Sequence, residues 1–176
     1  MDIYWYGQAC FKLKGKNTTV IIDPFDPEFT GLKVPKEFEA DIVLKTHDHK
    51  DHNNVSAVGG SPRIFEGPGE YEVKEIFIQG ISSWHDAEGG KDKGQNTIYT
   101  IEAEGIRFCH LGDLGQKELT DEQVDKIGTI DVLMIPVGGT YTISSGEAAK
   151  IISQIEPRIV IPMHYELPKL KFKLEG

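Results

Sequence analysis

Six consecutive residues, His47 to His52, contain three histidines and two aspartates in the order His-Asp-His-Lys-Asp-His. Neutral imidazole nitrogens and aspartate oxygens are the usual protein ligands of zinc and of related transition metals. The pattern H-x-H-x-D-H offers His47 and His49 to one metal ion, and Asp51 and His52 to a second. A histidine-rich loop can also be solvated and inert, but the fixed order of donor types favours a metal site.

The segments that precede the potential ligands read as short strands. Residues 40–45 are largely apolar, so the histidine-rich segment begins where a strand ends. Three later segments have the same form, a strand followed by a turn that carries one potential ligand. Because a rigid sheet can gather the ends of its strands at one edge, ligands that are far apart in the sequence can meet there. The potential ligands after these three strands are His85, Asp113 and His164.

Composition and charge exclude several classes of protein. The 176 residues are enough to bury a core without disulfides, and we expect one domain over residues 1–176. The net charge of −9 disfavours non-specific nucleic-acid binding, which depends on Lys and Arg neutralising phosphates. No apolar run is long enough to cross a bilayer, and the N-terminal residues lack the features of a signal peptide. Cys10 and Cys109 lie in strand-like apolar segments and are expected to be reduced core residues. We therefore expect a cytoplasmic protein with a small-molecule substrate and no membrane partner, whereas the oligomeric state is not indicated.

Short β-rich segments separated by turns with Gly or Pro dominate the sequence. One helix is indicated by capping-box spacing at Thr120 and ends at Gly128, and another begins at Ser144 and runs to about Glu156. A third, short helix is expected near residues 55–58. Strands interleaved with helices predict a layered α/β domain, in which helices cover the faces of sheets. The predicted strands are residues 3–6, 10–14, 18–22, 41–46, 63–66, 70–74, 76–81, 96–103, 106–111, 131–136 and 158–162.

The order of these motifs resembles the metallo-β-lactamase-fold hydrolases: H-x-H-x-D-H, a later lone histidine, a Gly-Asp-x-Gly turn and a final histidine. The segments Gly7-Gln8-Ala9-Cys10-Phe11 and Ile22-Asp23-Pro24 resemble the L-ascorbate-6-phosphate lactonase-like branch of that superfamily. Gln8 stands where many members of that branch carry a histidine. The resemblance covers essentially the whole chain and implies an αββα four-layer sandwich with a two-metal site at one edge of the sheets.

The resemblance also implies a role for each potential ligand. Two divalent ions, zinc first and manganese or iron as alternatives, would share a hydroxide nucleophile. Asp51 would both bind metal and accept the proton of the nucleophile. The first ion would be held by His47, His49 and His85, the second by Asp51, His52 and His164, and Asp113 would bridge the two.

Three further residues are candidates for the surroundings of the site. His110 competes with His85 as the third ligand of the first ion, but strand alternation turns its side chain away from that of Asp113. A pocket-lining, supporting or core position is therefore favoured for His110. Asp23 is expected to hold the histidine-rich loop through hydrogen bonds. Tyr165 can donate to a developing oxyanion or simply pack.

Three loop segments have less specific patterns. Residues 137–142 can hold an anion at the start of the following helix, but a tight strand-to-helix turn is favoured. Residues 88–94, which are rich in glycine and charge, are expected to form a flexible flap. Lys169, Lys171 and Lys173 are interpreted as the solvated face of a final strand, in preference to a patch that steers substrate.

Together these features predict a cytoplasmic binuclear hydrolase that attacks an ester, a lactone or a phosphodiester with metal-bound hydroxide. A non-catalytic binding or regulatory domain of the same fold is the alternative, in which the metals would only stabilise the loops. The intact set of ligand types favours the enzyme.

Overall fold

Two β-sheets packed against each other form the centre of the protein, in a computed structural model that describes residues 1–175. The first sheet has five strands in the order β1-β2-β3-β4-β5. The first three strands form an antiparallel meander, and β3, β4 and β5 are parallel. The bounds are β1 Asp2–Gly7, β2 Cys10–Lys14, β3 Thr19–Ile22, β4 Ile42–Lys45 and β5 Arg63–Glu66.

The second sheet has six strands in the order β11-β10-β9-β8-β7-β6. Strand β8 is antiparallel to both β7 and β9, and β9, β10 and β11 are parallel to one another. Four strands of this sheet, β7, β9, β10 and β11, therefore point their carboxyl ends towards the same edge. The bounds are β6 Gly69–Val73, β7 Ile76–Trp84, β8 Gln95–Ala103, β9 Ile106–His110, β10 Val132–Pro136 and β11 Ile159–Met163.

Helices α1 (Pro27–Thr30), α2 (Asp121–Ile127) and α3 (Ser145–Ile155) and a 3₁₀ helix (Val55–Ala57) complete the described structure. Both predicted capping boxes are present. The hydroxyl of Thr120 accepts from the Gln123 backbone N–H, and the Gln123 side chain accepts from the Thr120 N–H. Ser144 and Glu147 form the same pair of hydrogen bonds at the start of α3. Helix α1 was not predicted, because four residues are too few for a periodic pattern. Its N-cap Asp26 and first-turn Pro27 were nevertheless available as signals.

Apolar side chains divide the molecule into layers. One cluster, which includes Leu13, Ile22, Ile78 and Phe108, fills the space between the sheets. A second joins the outer face of the second sheet to α2 and α3, and a third covers the outer face of the first sheet with loop residues and the 3₁₀ turn. The predicted αββα class is confirmed, although the layer outside the first sheet consists mostly of loops.

The structure also tests several local expectations. The eleven strands predicted between residues 3 and 162 are present, and Cys10 and Cys109 are buried and free. The expected final strand around Lys171 is wrong, since residues 164–175 contain no strand and the Lys171 N–H and Nζ donate to the carbonyls of Thr30 and Glu28. In residues 1–175, no helix combines the length and hydrophobicity that crossing a bilayer requires.

Candidate metal centre

Every predicted ligand lies just beyond the carboxyl end of a strand. The histidine-rich segment follows β4, His85 follows β7 directly, and His164 follows β11 directly. Asp113 lies three residues after the end of β9. Since β7, β9 and β11 point to the same edge of the second sheet, their following loops converge on the loop after β4 of the first sheet.

The structure brings three of the histidines into a first group, His47, His49 and His85, whose ring nitrogens lie within 4.8 Å of one another. Their ring centroids are 4.6 to 5.0 Å apart. His47 and His85 are buried, whereas His49 is exposed. The first group is therefore open to solvent on the side of His49.

A second group consists of Asp51, His52, Asp113 and His164, all buried. Asp113 Oδ1 lies 3.2 Å from His52 Nε2, and Asp113 Oδ2 lies 3.3 Å from His164 Nε2. Asp51 Oδ2 lies 3.5 Å from each of these two imidazole nitrogens. Asp113 Oδ2 also lies 3.4 Å from His85 Nε2, so its carboxylate contacts both groups.

Three properties of these groups fit divalent cations. Donors about 2.0–2.1 Å from a tetrahedral ion lie about 3.3–3.4 Å from one another, close to the distances around Asp113. His47 Nε2, His52 Nε2 and Asp113 Oδ1 are buried without a hydrogen-bond partner, although buried polar atoms almost always have one. Among residues 1–175, the carboxylates of Asp51 and Asp113 form ion pairs with imidazoles alone. No lysine or arginine of the described chain forms an ion pair with either carboxylate.

Asp23 connects the histidine-rich loop to the end of β3. Its Oδ2 accepts hydrogen bonds from His52 Nδ1 at 2.8 Å and from the Thr46 hydroxyl at 2.7 Å. Its Oδ1 accepts from the Thr46 backbone N–H at 2.8 Å. The Thr46 hydroxyl is in turn 3.0 Å from His47 Nδ1. Through these contacts a single buried carboxylate fixes the orientation of two imidazoles, one in each group.

Comparison with known proteins agrees with this geometry. The sequence profile of the beta-lactamase superfamily domain matches residues 2–164. The chain belongs to the metallo-β-lactamase superfamily. A UPF0173 metal-dependent hydrolase of Thermococcus onnurineus is 31% identical, and the match covers 94% of this chain and 84% of that protein.

Solved structures agree on both fold and family. A Thermotoga maritima protein described as a zinc-dependent hydrolase of the metallo-β-lactamase superfamily is 41% identical, with a TM-score of 0.81 and coverage of 99% of this chain and 80% of its own. A metallo hydrolase of Ignicoccus hospitalis shares the fold, with 20% identity, a TM-score of 0.72 and coverage of 97% and 85% of the two chains. The protein is a metal-dependent hydrolase of the UPF0173 family within this superfamily.

Burial keeps two imidazoles of this metallo-β-lactamase fold neutral. It lowers the pKa of His47 to about 2, and the neighbouring His52 lowers it further in the same direction. Burial also lowers the pKa of His85. The neutral imidazole is the form that binds metal, so neither side chain needs to lose a proton first.

In the second group of the superfamily site, neighbouring charges together shift the pKa values more than burial does. Burial disfavours the ionised carboxylates, but the facing imidazoles of His164 and His52 hold the pKa of Asp113 well below its ordinary value. The pKa of Asp51 is also lowered, since His52 and a hydrogen bond with His164 outweigh burial. Conversely, burial opposes a charge on His52, yet Asp113, Asp51 and Asp23 raise its pKa well above the usual value. The three carboxylates around His52 therefore favour its protonated form.

His110 and Tyr165 lie outside the two groups. His110 is fully buried; its Nε2 lies 2.8 Å from the Ala9 carbonyl, and its Nδ1 accepts from the Gly112 N–H. Of the two rivals for the first group, the structure thus brings in His85 and leaves His110 in the core. The ring of Tyr165 packs against that of Trp5, with 5.2 Å between the centroids.

Several residues that support the site were not singled out from the sequence. Asn96 accepts from the Asp113 N–H and donates to the Leu111 carbonyl, so it shapes the turn that carries Asp113. Gly115 lies so close to the His85 carbonyl that any Cβ there would clash with it. These supports come from neighbouring strands and loops, and only the Gly-Asp-x-Gly pattern around Asp113 pointed to them.

Two loops beside the site, residues 88–93 and the turn at Gln8, also have contacts that the sequence did not indicate. Asp86 accepts four backbone hydrogen bonds from residues 88–93, so the segment expected to be a flexible flap is tied to the residue beside His85. Gln8 is fully buried with its Nε2 3.5 Å from His164 Nε2, while its Oε1 has no hydrogen-bond partner in the described chain. The amide of Gln8 therefore faces the second group.

Proposed function

We propose that residues 1–176 form one hydrolase domain that holds two divalent cations and cleaves an ester, a lactone or a phosphodiester. The carboxylate of Asp113 carries this proposal, because its oxygens lie 3.4 Å from His85 of the first group and 3.2 and 3.3 Å from His52 and His164 of the second. A carboxylate in that position can bridge two ions. The proposed ligands are His47, His49 and His85 for one ion, Asp51, His52 and His164 for the other, and Asp113 between them.

Zinc is the proposed metal, with manganese and iron as alternatives. Five imidazoles among seven donors suit zinc better than magnesium or calcium, which prefer oxygen. The Thermotoga maritima protein described as zinc-dependent supports the same choice. When bound, a pair of such ions activates water and neutralises charge on the oxygens of the reacting group.

The chain's own residues hold the reacting groups and move the proton. Asp51 is buried and ionised at neutral pH, and its Oδ2 lies beside both His52 and His164. We propose that Asp51 accepts the proton of the attacking water while it remains a ligand. Substrate approaches past His49, the exposed member of the first group. Buried His47, His85 and His164 exclude bulk water from the remaining sides.

Lactones belong to the proposed substrates because the sequence resembles the L-ascorbate-6-phosphate lactonase-like branch, although Gln8 departs from its pattern. We also propose that the protein works in the cytoplasm, which the two unpaired cysteines support.

The test is hydrolysis of p-nitrophenyl phosphodiesters, carboxylic esters and lactones by zinc-, manganese- and iron-loaded protein, together with metal content per chain. We expect two ions per chain and turnover of at least one substrate class. Asp51→Asn should lower kcat at least about 100-fold, since it removes a proton acceptor without changing volume. Asp48→Asn is the matched control, because this exposed aspartate lies in the same loop but in neither group.

The outcome against the proposal is equally specific. Metal-loaded protein that cleaves none of these substrates would instead indicate the non-catalytic binding domain. Unchanged turnover in Asp51→Asn would remove this residue from the reaction, and one ion per chain would remove the bridging role of Asp113.

A further inference from the structure

A cavity of about 460 Å³ opens directly over the two ligand groups. His49, Asp51, His85, Asp113 and His164 contribute to its inner surface. Its outer part is lined by three aromatic residues, Phe29, Tyr141 and Phe172, and by two lysines, Lys50 and Lys93. The reacting centre and this lining therefore share one space, and a substrate held at the centre must also contact the lining.

The three aromatic rings form a continuous apolar wall, although they come from distant parts of the chain. The centroids of Phe29 and Phe172 are 5.5 Å apart, and those of Tyr141 and Phe172 are 6.2 Å apart. Phe29 is 41% exposed and Tyr141 is 42% exposed, so the wall is not part of the core. Exposed apolar side chains that cluster beside a polar centre are typical of a binding surface.

The wall is held in place by the C-terminal segment. The Lys171 N–H donates to the carbonyl of Thr30 at the end of α1, and the Glu175 N–H donates to the carbonyl of Gly138 in the loop after β10. Leu174 between them is buried. These contacts join the segment to α1, which carries Phe29, and to the loop that carries Tyr141, so Phe172 is fixed between the two other rings.

The two lysines add positive charge to the same cavity. Lys93 Nζ donates to the Tyr141 carbonyl at 2.7 Å and lies 5.7 Å from the centroid of its ring. Among residues 1–175, neither Lys50 nor Lys93 forms an ion pair with a carboxylate, unlike Lys45, Lys74, Lys117 and Lys126. Both ammonium groups therefore remain available to an anion in the cavity.

We propose that this site selects an anionic ester with an aromatic or comparably flat apolar substituent, a preference that rests on the proposed hydrolase function. The anionic group lies between the ligand groups and the two lysines, and the substituent lies against Phe29, Tyr141 and Phe172. A small, fully polar substrate would leave the three rings exposed to water, so they would add nothing to its binding affinity. The aromatic substituent adds affinity because it removes apolar surface from water and stacks on the rings.

The preference can be measured by binding alone, with phenylphosphonate and methylphosphonate as probes of zinc-loaded protein in calorimetry. At a pH above the second pKa of both phosphonates the two probes carry the same dianion, so the contribution of the metals and the lysines cancels in the ratio of their Kd values. We expect phenylphosphonate to bind about 10-fold more tightly, the gain expected for stacking and burying one ring. Phe172→Ala should reduce this ratio to about 2 or less, since it removes the ring that contacts both others.

Matched variants separate the wall from general effects. Phe77→Ala removes a ring with 42% exposure on β7 that lies outside the cavity, and it should leave the ratio unchanged. Tyr141→Ala should lower the ratio without altering the C-terminal segment, in case Phe172→Ala disturbs that segment. Lys50→Gln should weaken both probes by a similar factor and keep the ratio, because Lys50 lines the same cavity and, in the described chain, its side chain makes no hydrogen bond or cation–π contact with the three rings.

Parallel hydrolysis of phenyl and methyl p-nitrophenyl phosphate distinguishes the two proposals. Equal affinity for phenylphosphonate and methylphosphonate in the unmodified protein, together with turnover of either diester, would overturn the substrate preference and leave the hydrolase proposal standing. Tight phenylphosphonate binding that depends on Phe172, without any turnover, would overturn the hydrolase and keep the binding preference.

Discussion

Replacement of Asp23 by asparagine tests whether a residue that touches no proposed metal controls metal binding. The carboxylate accepts three hydrogen bonds, from His52 Nδ1, the Thr46 hydroxyl and the Thr46 backbone N–H. Asparagine keeps the volume but has one acceptor oxygen. If that oxygen takes the place of Oδ2, the amide NH₂ faces the Thr46 N–H, donor against donor. If it takes the place of Oδ1, the NH₂ faces His52 Nδ1 and favours the proton on Nε2, which is the proposed ligand atom.

The expected loss of zinc affinity follows from the hydrogen bond that Asp23→Asn removes. A hydrogen bond to a charged group contributes about 1.5–3 kcal/mol, which corresponds to about 10- to 100-fold in an equilibrium constant. The same range is typical when the partner of a metal-binding histidine is removed. We therefore expect the Kd of the more affected ion to rise about 10- to 100-fold in Asp23→Asn.

Competition with a chromophoric zinc chelator measures both dissociation constants in one titration. Asp41→Asn is the matched control, because Asp41 also accepts from a backbone N–H, that of Thr19, and lies before β4 at the other end of the same sheet. It should bind zinc like the unmodified protein. Equal zinc affinity of Asp23→Asn and Asp41→Asn would refute the view that Asp23 orients the imidazole of His52.

Two further predictions follow from the buried histidines. Because neighbouring carboxylates raise the pKa of His52, we expect it to release about one proton when zinc binds at neutral pH. Zinc affinity should therefore rise with pH until the pH exceeds that raised pKa. Calorimetry in buffers of different ionisation enthalpy measures the released proton. The stability of the metal-free protein should change with pH in the opposite direction. The raised pKa of His52 contributes fully to the free energy of unfolding below the unfolded-state pKa of about 6.5, and this contribution is lost as the pH rises through the pKa of the folded state. His110→Ala should lower the free energy of unfolding by about 2–4 kcal/mol, because it opens a cavity and leaves the Ala9 carbonyl unpaired, whereas metal content should stay the same. Denaturant titration and metal analysis of one preparation check both parts, and loss of an ion would contradict the core position of His110.

The regular part of the fold was predictable because local patterns determine it. Most of the strands are apolar runs or alternating segments next to a turn with Gly, Pro or Asn, and both longer helices carry their own capping boxes. The pairing of strands and the packing of one sheet on the other are not local. They came from the resemblance to a known fold and not from the strand pattern itself.

The residues of the two candidate groups could also be singled out from the sequence, but their full division into two groups came from the resemblance. The histidine-rich segment is contiguous, and the later donors share a visible form, a strand followed by a single donor. The motif order of the resembling family also favoured His85 over His110, whereas the alternation expected between His110 and Asp113 does not apply, because β9 ends at His110 and Asp113 lies in the turn after it. Hydrogen bonds such as that from the Asp113 N–H to the side chain of Asn96 could not be predicted from the sequence, since they depend on which residues of β8 face β9.

No pattern in the sequence indicated the aromatic wall, because its three residues come from three separate segments. Phe29 lies in a four-residue helix, Tyr141 in the loop after β10, and Phe172 in a segment without regular structure. The metal donors, in contrast, follow the ends of strands in two packed sheets. Substitutions in the wall should therefore change which substituent is accepted while the proposed donors keep their positions, so the two proposals assign metal binding and substrate preference to separate residues of this chain.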